Sequence, residues 1–314
     1  MFNSRQWSQL TETTYGYPSK YFKSDGCGIW YSHVSNDIGE YLIAPSFGDF
    51  IILDEDGLHG LEKWIVAIDP KPVSIKICCD FYPTVANMSS SQNGYIHQIE
   101  YDTYLQWYEE IVSPRFKRNI KKSVKNDLNI KIEQSQEAMR QFWEMHALLR
   151  QKKFHEIPQP WAYFDNIYSS FFKSDQGFIL AAYSAKNELV AGILVLLYQG
   201  TAYYKFNASD VNHLDLRPNN ILIDRLIYHL DGMNIKRLNL GYTGSSPNYE
   251  GLRVYKLSAG AKEYNRYTLR SENFEKLNRA IISEINENVQ ALLNKEPSLD
   301  DVDRFSAQYY KYFI

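Results

Sequence analysis

Residues 238–264, LNLGYTGSSPNYEGLRVYKLSAGAKEY, decide how the chain is read. The stretch begins as a strand pattern and breaks at Gly241. It crosses a loop of Thr, Gly, Ser, Pro and Asn, then resumes as an aromatic strand carrying one lysine, Lys256, among apolar neighbours. Two short apolar segments around a glycine-containing polar loop are a common way to hold functional groups at a strand end. The pattern therefore predicts a site here, with Lys256 on the returning strand and Glu250 in the loop before it.

The 314 residues have room for two domains or one large one. Apolar residues make up 44% and charged residues 23%, the proportions of a globular chain rather than a disordered one. The 25 Tyr and 16 Phe predict a rich core with tyrosines at its edge. A formal net charge of −3 excludes a global field that would draw the chain onto DNA or an anionic membrane, so any polyanion contact must be local. The three cysteines, two of them adjacent at Cys78 and Cys79, form neither a disulfide framework nor a zinc pattern, which predicts a reducing compartment and no metal. The opening MFNSRQWSQL has no apolar signal segment, and the longest apolar run, Leu189–Tyr198, falls well short of the roughly 20 residues of a membrane helix. A cytoplasmic protein without a membrane span is expected.

The first hundred residues read as short strands, including 40–44, 50–53 and 73–79, with a helix at 58–68. Pro70 and Pro72 punctuate that region, and the polar MSSSQNG at 88–94 reads as a loop before a strand at 95–100. Helices are predicted at 102–111, with Asp102 as N-cap, and at 135–152 and 160–173. A β block follows at 178–184, 189–198 and 201–206, its middle strand apolar on both faces as in the centre of a covered sheet. A helix at 219–230, a strand at 236–240 and a long amphipathic helix at 272–294 complete the pattern.

The helix at 113–128 carries the most information. Phe116, Ile120, Val124 and Leu128 recur every fourth residue, and Arg118, Lys121, Lys122 and Lys125 lie opposite, flanked by Arg115 and Lys117. No acid interrupts these cations to neutralise them at i,i+4. A phosphate-bearing ligand is one reading of this face, and a solvated surface is the other.

From residue 113 onward the order helix, helix, three antiparallel strands, helix, strand, loop, strand resembles that of a GNAT-type acyltransferase domain. Residues in that order narrow the resemblance: FKRNIKK at 116–122, VAG at 190–192, YYKFNASD at 203–210, LRPN at 216–219, Leu240-Gly241, Gly251-Leu252, Tyr255-Lys256 and Gly260. Together they look like the FemAB-type branch, over residues 95–265. The resemblance implies an α+β fold of two GNAT-like lobes facing each other across a cleft, each a mixed, mostly antiparallel sheet flanked by helices. Their expected bounds are 1–112 and 113–270, with a helical segment at 271–314 that in this family can pack back on the first lobe.

The resemblance also implies transfer of an acyl or aminoacyl group, from a thioester or a transfer-RNA ester, onto an amine of a cell-envelope or polysaccharide precursor. The acceptor it implies is a small amine on a nucleotide-linked or lipid-linked sugar. The family's aromatic-lysine pair falls on Tyr255-Lys256. Lys256 then stabilises the tetrahedral oxyanion, Asp210 or Glu250 is the base, and Tyr204 and Tyr255 line the cleft. Arg118, Lys121, Lys122, Arg217, Asn219 and Asn220 are the expected substrate-binding residues. GNAT enzymes that use coenzyme A usually cradle its pyrophosphate in a glycine-rich turn before the central helix, whereas this chain has LRPNN at 216–220. Acyl-CoA and aminoacyl-tRNA therefore both stand as donors. A non-catalytic pair of such lobes, binding a nucleotide-sugar or a protein, is the alternative.

Overall fold

Apolar segments with period-2 and period-3.6 patterns alternate along this chain, and they fold into a single sheet covered by helices. The computed structural model describes residues 1–24, 27–68 and 71–313; the breaker expected at Pro70 lies outside them. The N-terminal part runs α1 (Arg5–Tyr15), β1 (Ser19–Ser24), β2 (Cys27–Asn36), β3 (Gly39–Ala44), β4 (Ile51–Ile52), α2 (Glu55–Ile68), β5 (Val73–Cys78) and β6 (Met88–Glu100). After α3 (Tyr104–Gln106) and a π turn come α4 (Pro114–Val124), β7 (Asn129–Glu133), α5 (Gln136–Leu149) and α6 (Trp161–Ser170). Then follow β8 (Gly177–Tyr183), β9 (Leu189–Tyr198), β10 (Thr201–Ser209), α7 (Pro218–Gly232), β11 (Arg237–Gly244), α8 (Glu250–Ser258) and β12 (Lys262–Ser271). Helices α9 (Ala280–Leu293) and α10 (Leu299–Tyr309) end the chain, and no helix of the described residues is long and apolar enough to cross a membrane.

Hydrogen bonding joins the strands in the order β1-β2-β3-β5-β12-β6-β11-β10-β9-β8-β7, with β4 beside β5. The expected mixed, mostly antiparallel α+β architecture is present, as one continuous sheet. β9 is buried along most of its length, as its unbroken apolar run requires. Phe116 and Ile120 of α4 pack with Ile223 and Leu226 of α7 on one face, and Phe142 of α5 with Phe164 of α6 on the other. In the first lobe, Leu61 and Trp64 of α2 cover Ile29, Ile75 and Ile77. Two of the buried tryptophans bond distant carbonyls, Trp7 Nε1 donating to Ser46 O at 3.1 Å and Trp107 Nε1 to Ala259 O at 2.9 Å, whereas Trp64 Nε1 is buried without a partner. The C-terminal segment touches both lobes. Phe274 meets Tyr41 edge-on at 5.5 Å, and Trp161 N donates to Asp303 Oδ1 of α10 at 2.6 Å.

Five expectations are corrected. Residues 250–258 form helix α8, so Lys256 sits on a helix and not on a returning strand. Leu252, Tyr255, Lys256 and Ala259 are spaced at i, i+3, i+4 and i+7, and the strand-like alternation of Leu252 and Val254 concealed it. Residues 88–94 are the first half of β6, where Ser, Gln and Asn tolerate solvent because β12 saturates the backbone. The helix expected at 272–294 is a 3-10 turn, an extended Leu277 and then α9. Thr103, not Asp102, caps the helix at 104, its side chain accepting from Gln106 N. Of the expected stripe on α4, Val124 is 54% exposed, because the helix ends there and Ser123 takes the buried position.

Gly94 marks a tight strand crossing, since it pairs with Gly244 of β11 on one side and Arg266 of β12 on the other. A Cβ there would lie 2.3 Å from Thr243 O, a backbone atom that cannot step aside. Gly94→Ala should therefore lower unfolding free energy by about 1–3 kcal/mol in chemical denaturation, as overpacking does. A change below the error of the measurement would show that the crossing is looser than described.

Candidate functional site

The parallel pair β10–β11 is short. Its ladder covers only Thr201–Tyr203 against Arg237–Asn239. Beyond Asn239, β11 stays paired to β6 through a bulge at Gly241, whose φ of 72° is left-handed and suits glycine. Successive carbonyls of a regular strand point opposite ways, but this bulge presents two to one donor. Lys256 Nζ donates to Gly241 O at 3.2 Å and Tyr242 O at 2.9 Å. The lysine is 4% exposed, and burial pulls its amine down to about 7, opposed by the charge of Asp49. An ammonium has three N–H donors, so two are committed and one is free.

Several of the expected binding residues meet at the start of α7. The Tyr255 hydroxyl donates to Asn219 O at 2.9 Å, and its ring lies 5.5 Å from Phe116 of α4. Burial, then neighbouring Tyr204, raises the Tyr255 hydroxyl well above the ordinary phenol range. The Asn219 amide oxygen accepts from Asn207 Nδ2 at 3.0 Å and Ser209 Oγ at 2.9 Å, locking the start of α7 to the end of β10. Arg217 caps α7 with φ 58°, the left-handed conformation a glycine would ordinarily supply, and its side chain is exposed. Asn220 is 6% exposed, and its Nδ2 has no partner. An orphaned buried N–H donor beside the unpaired N–H groups of a long helix fits an incoming anion.

The basic face of α4 stands beside this helix start. Asn126 Nδ2 reaches across to Leu216 O at 3.0 Å. Lys117 pairs with Glu109 at 3.2 Å, whereas Arg118, Lys121 and Lys122 are exposed and make no ion pair among the described residues.

The two candidate bases lie elsewhere. Asp210 accepts from Asn212 N at 2.9 Å and pairs with His213 Nδ1 at 2.8 Å. Burial raises its carboxyl, but these partners outweigh it and leave it below the usual carboxylate range. It lines a groove of about 750 Å³ with Glu133, Glu137 and Tyr183, on the α5 side of the sheet. Glu250 is exposed at the start of α8 and lies 3.7 Å from Arg253.

Sequence reasoning missed two groups that the fold assembles around Lys256. Behind it, His97 is fully buried, with Nε2 3.0 Å from Glu263 Oε1 and Nδ1 3.3 Å from Thr243 Oγ1. Arg253 clamps Glu263 with two bonds, of 2.7 and 3.0 Å. Burial and then Lys256 push His97 down to about 4, so it is neutral at pH 7. The second group lies between the lobes: Asp49, Lys76, Lys205 and Arg266. Lys205 Nζ bonds Asp49 Oδ2 at 3.0 Å and sits 4.8 Å above the Phe2 ring. Arg266 donates Nε to Asp49 O at 3.0 Å and NH1 to Asn93 Oδ1 at 2.7 Å. The four residues come from a loop, β5, β10 and β12, and no spacing in the chain links them.

The comparisons agree with this geometry. Residues 114–266 match the family model of an acetyltransferase (GNAT) domain. No curated protein matches the chain. Among solved structures, FemX superposes with a TM-score of 0.64 at 12% identity, over 85% of this chain and 91% of that one. The C-terminal domain of a provisionally named lysylphosphatidylglycerol synthetase from Agrobacterium fabrum gives 0.59 at 14% identity, over 86% and 88%. L-PGS from Bacillus licheniformis gives 0.56 at 11% identity, over 93% and 97%. Residues 114–266 thus match an acetyltransferase (GNAT) domain, and the chain shares the fold of FemX over most of its length.

Proposed function

We propose that the protein transfers an acyl or aminoacyl group from a phosphate-bearing donor onto an amine of a cell-envelope or polysaccharide precursor, with Lys256 stabilising the oxyanion. The uncommitted N–H of Lys256 carries this reading. Two carbonyls hold its ammonium rigidly beyond the end of the β10–β11 ladder, and the third donor is available to charge that develops there. Attack of a neutral amine on the donor's carbonyl carbon forms the tetrahedral oxyanion. Its collapse expels the thiolate of coenzyme A or the ribose oxygen of transfer RNA, and the attacking nitrogen loses its proton.

The donor's phosphate is assigned to the start of α7, to Arg217, Asn219 and Asn220, with Arg118, Lys121 and Lys122 of α4 alongside. Acyl-CoA and aminoacyl-tRNA both satisfy that chemistry. Tyr204 and Tyr255 wall the passage between phosphate and lysine. Asp210 and Glu250 stand as the candidate bases, and the partnered carboxylate of Asp210 makes it the weaker proton acceptor. An envelope acceptor is supported by the shared fold of a lysylphosphatidylglycerol synthetase domain, whose name joins an aminoacyl group to a phospholipid.

Three outcomes are expected once thermal stabilisation by acetyl-CoA, longer acyl-CoAs or transfer RNA has identified the donor. Lys256→Ala should lower kcat by about 10²–10³-fold, the usual loss for one oxyanion donor, with an unchanged circular dichroism spectrum. An active variant would remove the assignment. Only the ammonium stabilises the oxyanion, so kcat should fall as pH rises through about 7, where Lys256 loses its proton. In Lys256→Arg, which stays charged, any retained activity should lose that descending limb. Arg217→Gly relieves a left-handed residue while removing a charge. Its melting temperature should hold or rise while donor Kd weakens about tenfold, ~1.4 kcal/mol for one charge-assisted contact. Unchanged Kd would place the phosphate elsewhere.

A further inference from the structure

The recess between the lobes holds more positive charge than its own residues neutralise. Lys205 of β10 and Arg266 of β12 both bond Asp49, and Lys76 of β5 stands on the same side of the sheet as Arg266. Lys205 takes Asp49 in an ion pair, and Arg266 is bound to the Asp49 carbonyl and to Asn93. Lys76 is left over. It makes no hydrogen bond and has no carboxylate within 4 Å among the described residues, though it is only partly exposed. The register explains why it cannot turn away: Lys76 faces Thr268, and Cys78 faces Arg266, so both cations project from the same side of the sheet. Burial first, then Arg266, pull the Lys76 amine down to about 8, and only Asp49 opposes them appreciably. Two further donors stand close by. Tyr15 of α1 and Tyr163 of α6 make no hydrogen bond through their hydroxyls, and Asp49 is near enough to add to the upward shift of Tyr163.

A partly buried cation without a partner is stabilised by a ligand that supplies the missing charge. We propose that this recess is the seat of an oxyanion, carboxylate or phosphate, borne by the acceptor, with Lys76 and Arg266 as its principal contacts, so that the acceptor is an acidic amine. The inference rests on the acyl-transfer reading for the word acceptor, and on the recess alone for the anion. The recess adjoins the reaction centre: the Arg266 guanidinium lies 4.6 Å from the ring of Tyr242, whose carbonyl accepts from Lys256 Nζ at 2.9 Å. It is separate from the donor phosphate site at the start of α7. Donor and acceptor would thus be gripped by two basic clusters, with Lys256 between them.

The test reads binding without turnover, so its failure and failure of the Lys256 chemistry are told apart. Thermal melts are compared in sodium phosphate, acetate and chloride at matched ionic strength and pH, for wild type, Lys76→Met and the double variant Lys121→Ser/Lys122→Ser. Phosphate or acetate should raise the wild-type melting temperature above that in chloride. The increment should fall to less than a third in Lys76→Met and persist in the α4 double variant. In chloride, Lys76→Met should melt at or above wild type, because it removes an unpartnered cation without opening a cavity. A response to acetate alone assigns a carboxylate, to phosphate alone a phosphate ester, and to both a site that accepts either oxyanion. The proposal is overturned if neither anion stabilises wild type, or if Lys76→Met keeps the increment. It is equally overturned if Lys76→Met melts below wild type in chloride, which would make Lys76 a structural residue.

Discussion

The ladder between β6 and β12 is the interaction on which the rest of the structure depends. Lys262–Ser271 runs antiparallel to Met88–Gln98, and β12 is paired to β5 on its other edge. A strand made late in the chain is thereby inserted among strands made early, and two sheets become one. The energetic consequence is that the cleft walls share a backbone hydrogen-bond network, so their charged groups are placed without freedom to drift apart. Glu263 and Arg266 face opposite tasks on that one strand. Glu263 braces His97 behind Lys256, and Arg266 enters the basic recess.

Electrostatics in this protein are local and opposed to the global balance. The chain is slightly acidic, yet three positions concentrate positive charge: the face of α4, the start of α7 and the recess around Lys76. The physical forms differ. On α4 the cations are solvated, and screening at physiological salt limits their reach to about 8 Å. Around Lys76 and Lys256 they are desolvated, so each behaves as a group whose charge can be gained or lost near neutral pH. A protein that keeps two lysines in that state holds them against its own stability.

The β8–β9–β10 block and the two-faced α4 were legible because each is dictated by local periodicity. Leu189–Tyr198 has no polar face to expose, and Phe116 and Ile120 can share only one side of a helix. Lys256 was legible as a buried lysine but not as a helical one. Residues 250–258 satisfy both periods over so short a span, and tertiary packing made the choice. The strand at 88–94 was illegible for a different reason. Its side chains are polar because they face water, and its identity comes from pairing with β12, far away in sequence. The recess was invisible for the same reason. Asp49, Lys76, Lys205 and Arg266 are ordinary residues in unremarkable contexts, and only the long-range register of β5, β12 and β10 brings them together.

The position of β6 has a consequence for how the molecule comes into being. This strand, complete by residue 100, pairs with β12 from Met88 to Gln98 and with β11 from Gly94 onward, and both partners follow residue 236. During synthesis it must therefore wait with both edges bare while more than a hundred residues are added. Such edges recruit other strands unless guarded. Its first half, MSSSQNG, is polar and nearly devoid of β-branched residues. The composition that disguised it as a loop would also keep the waiting strand soluble until its partners arrive.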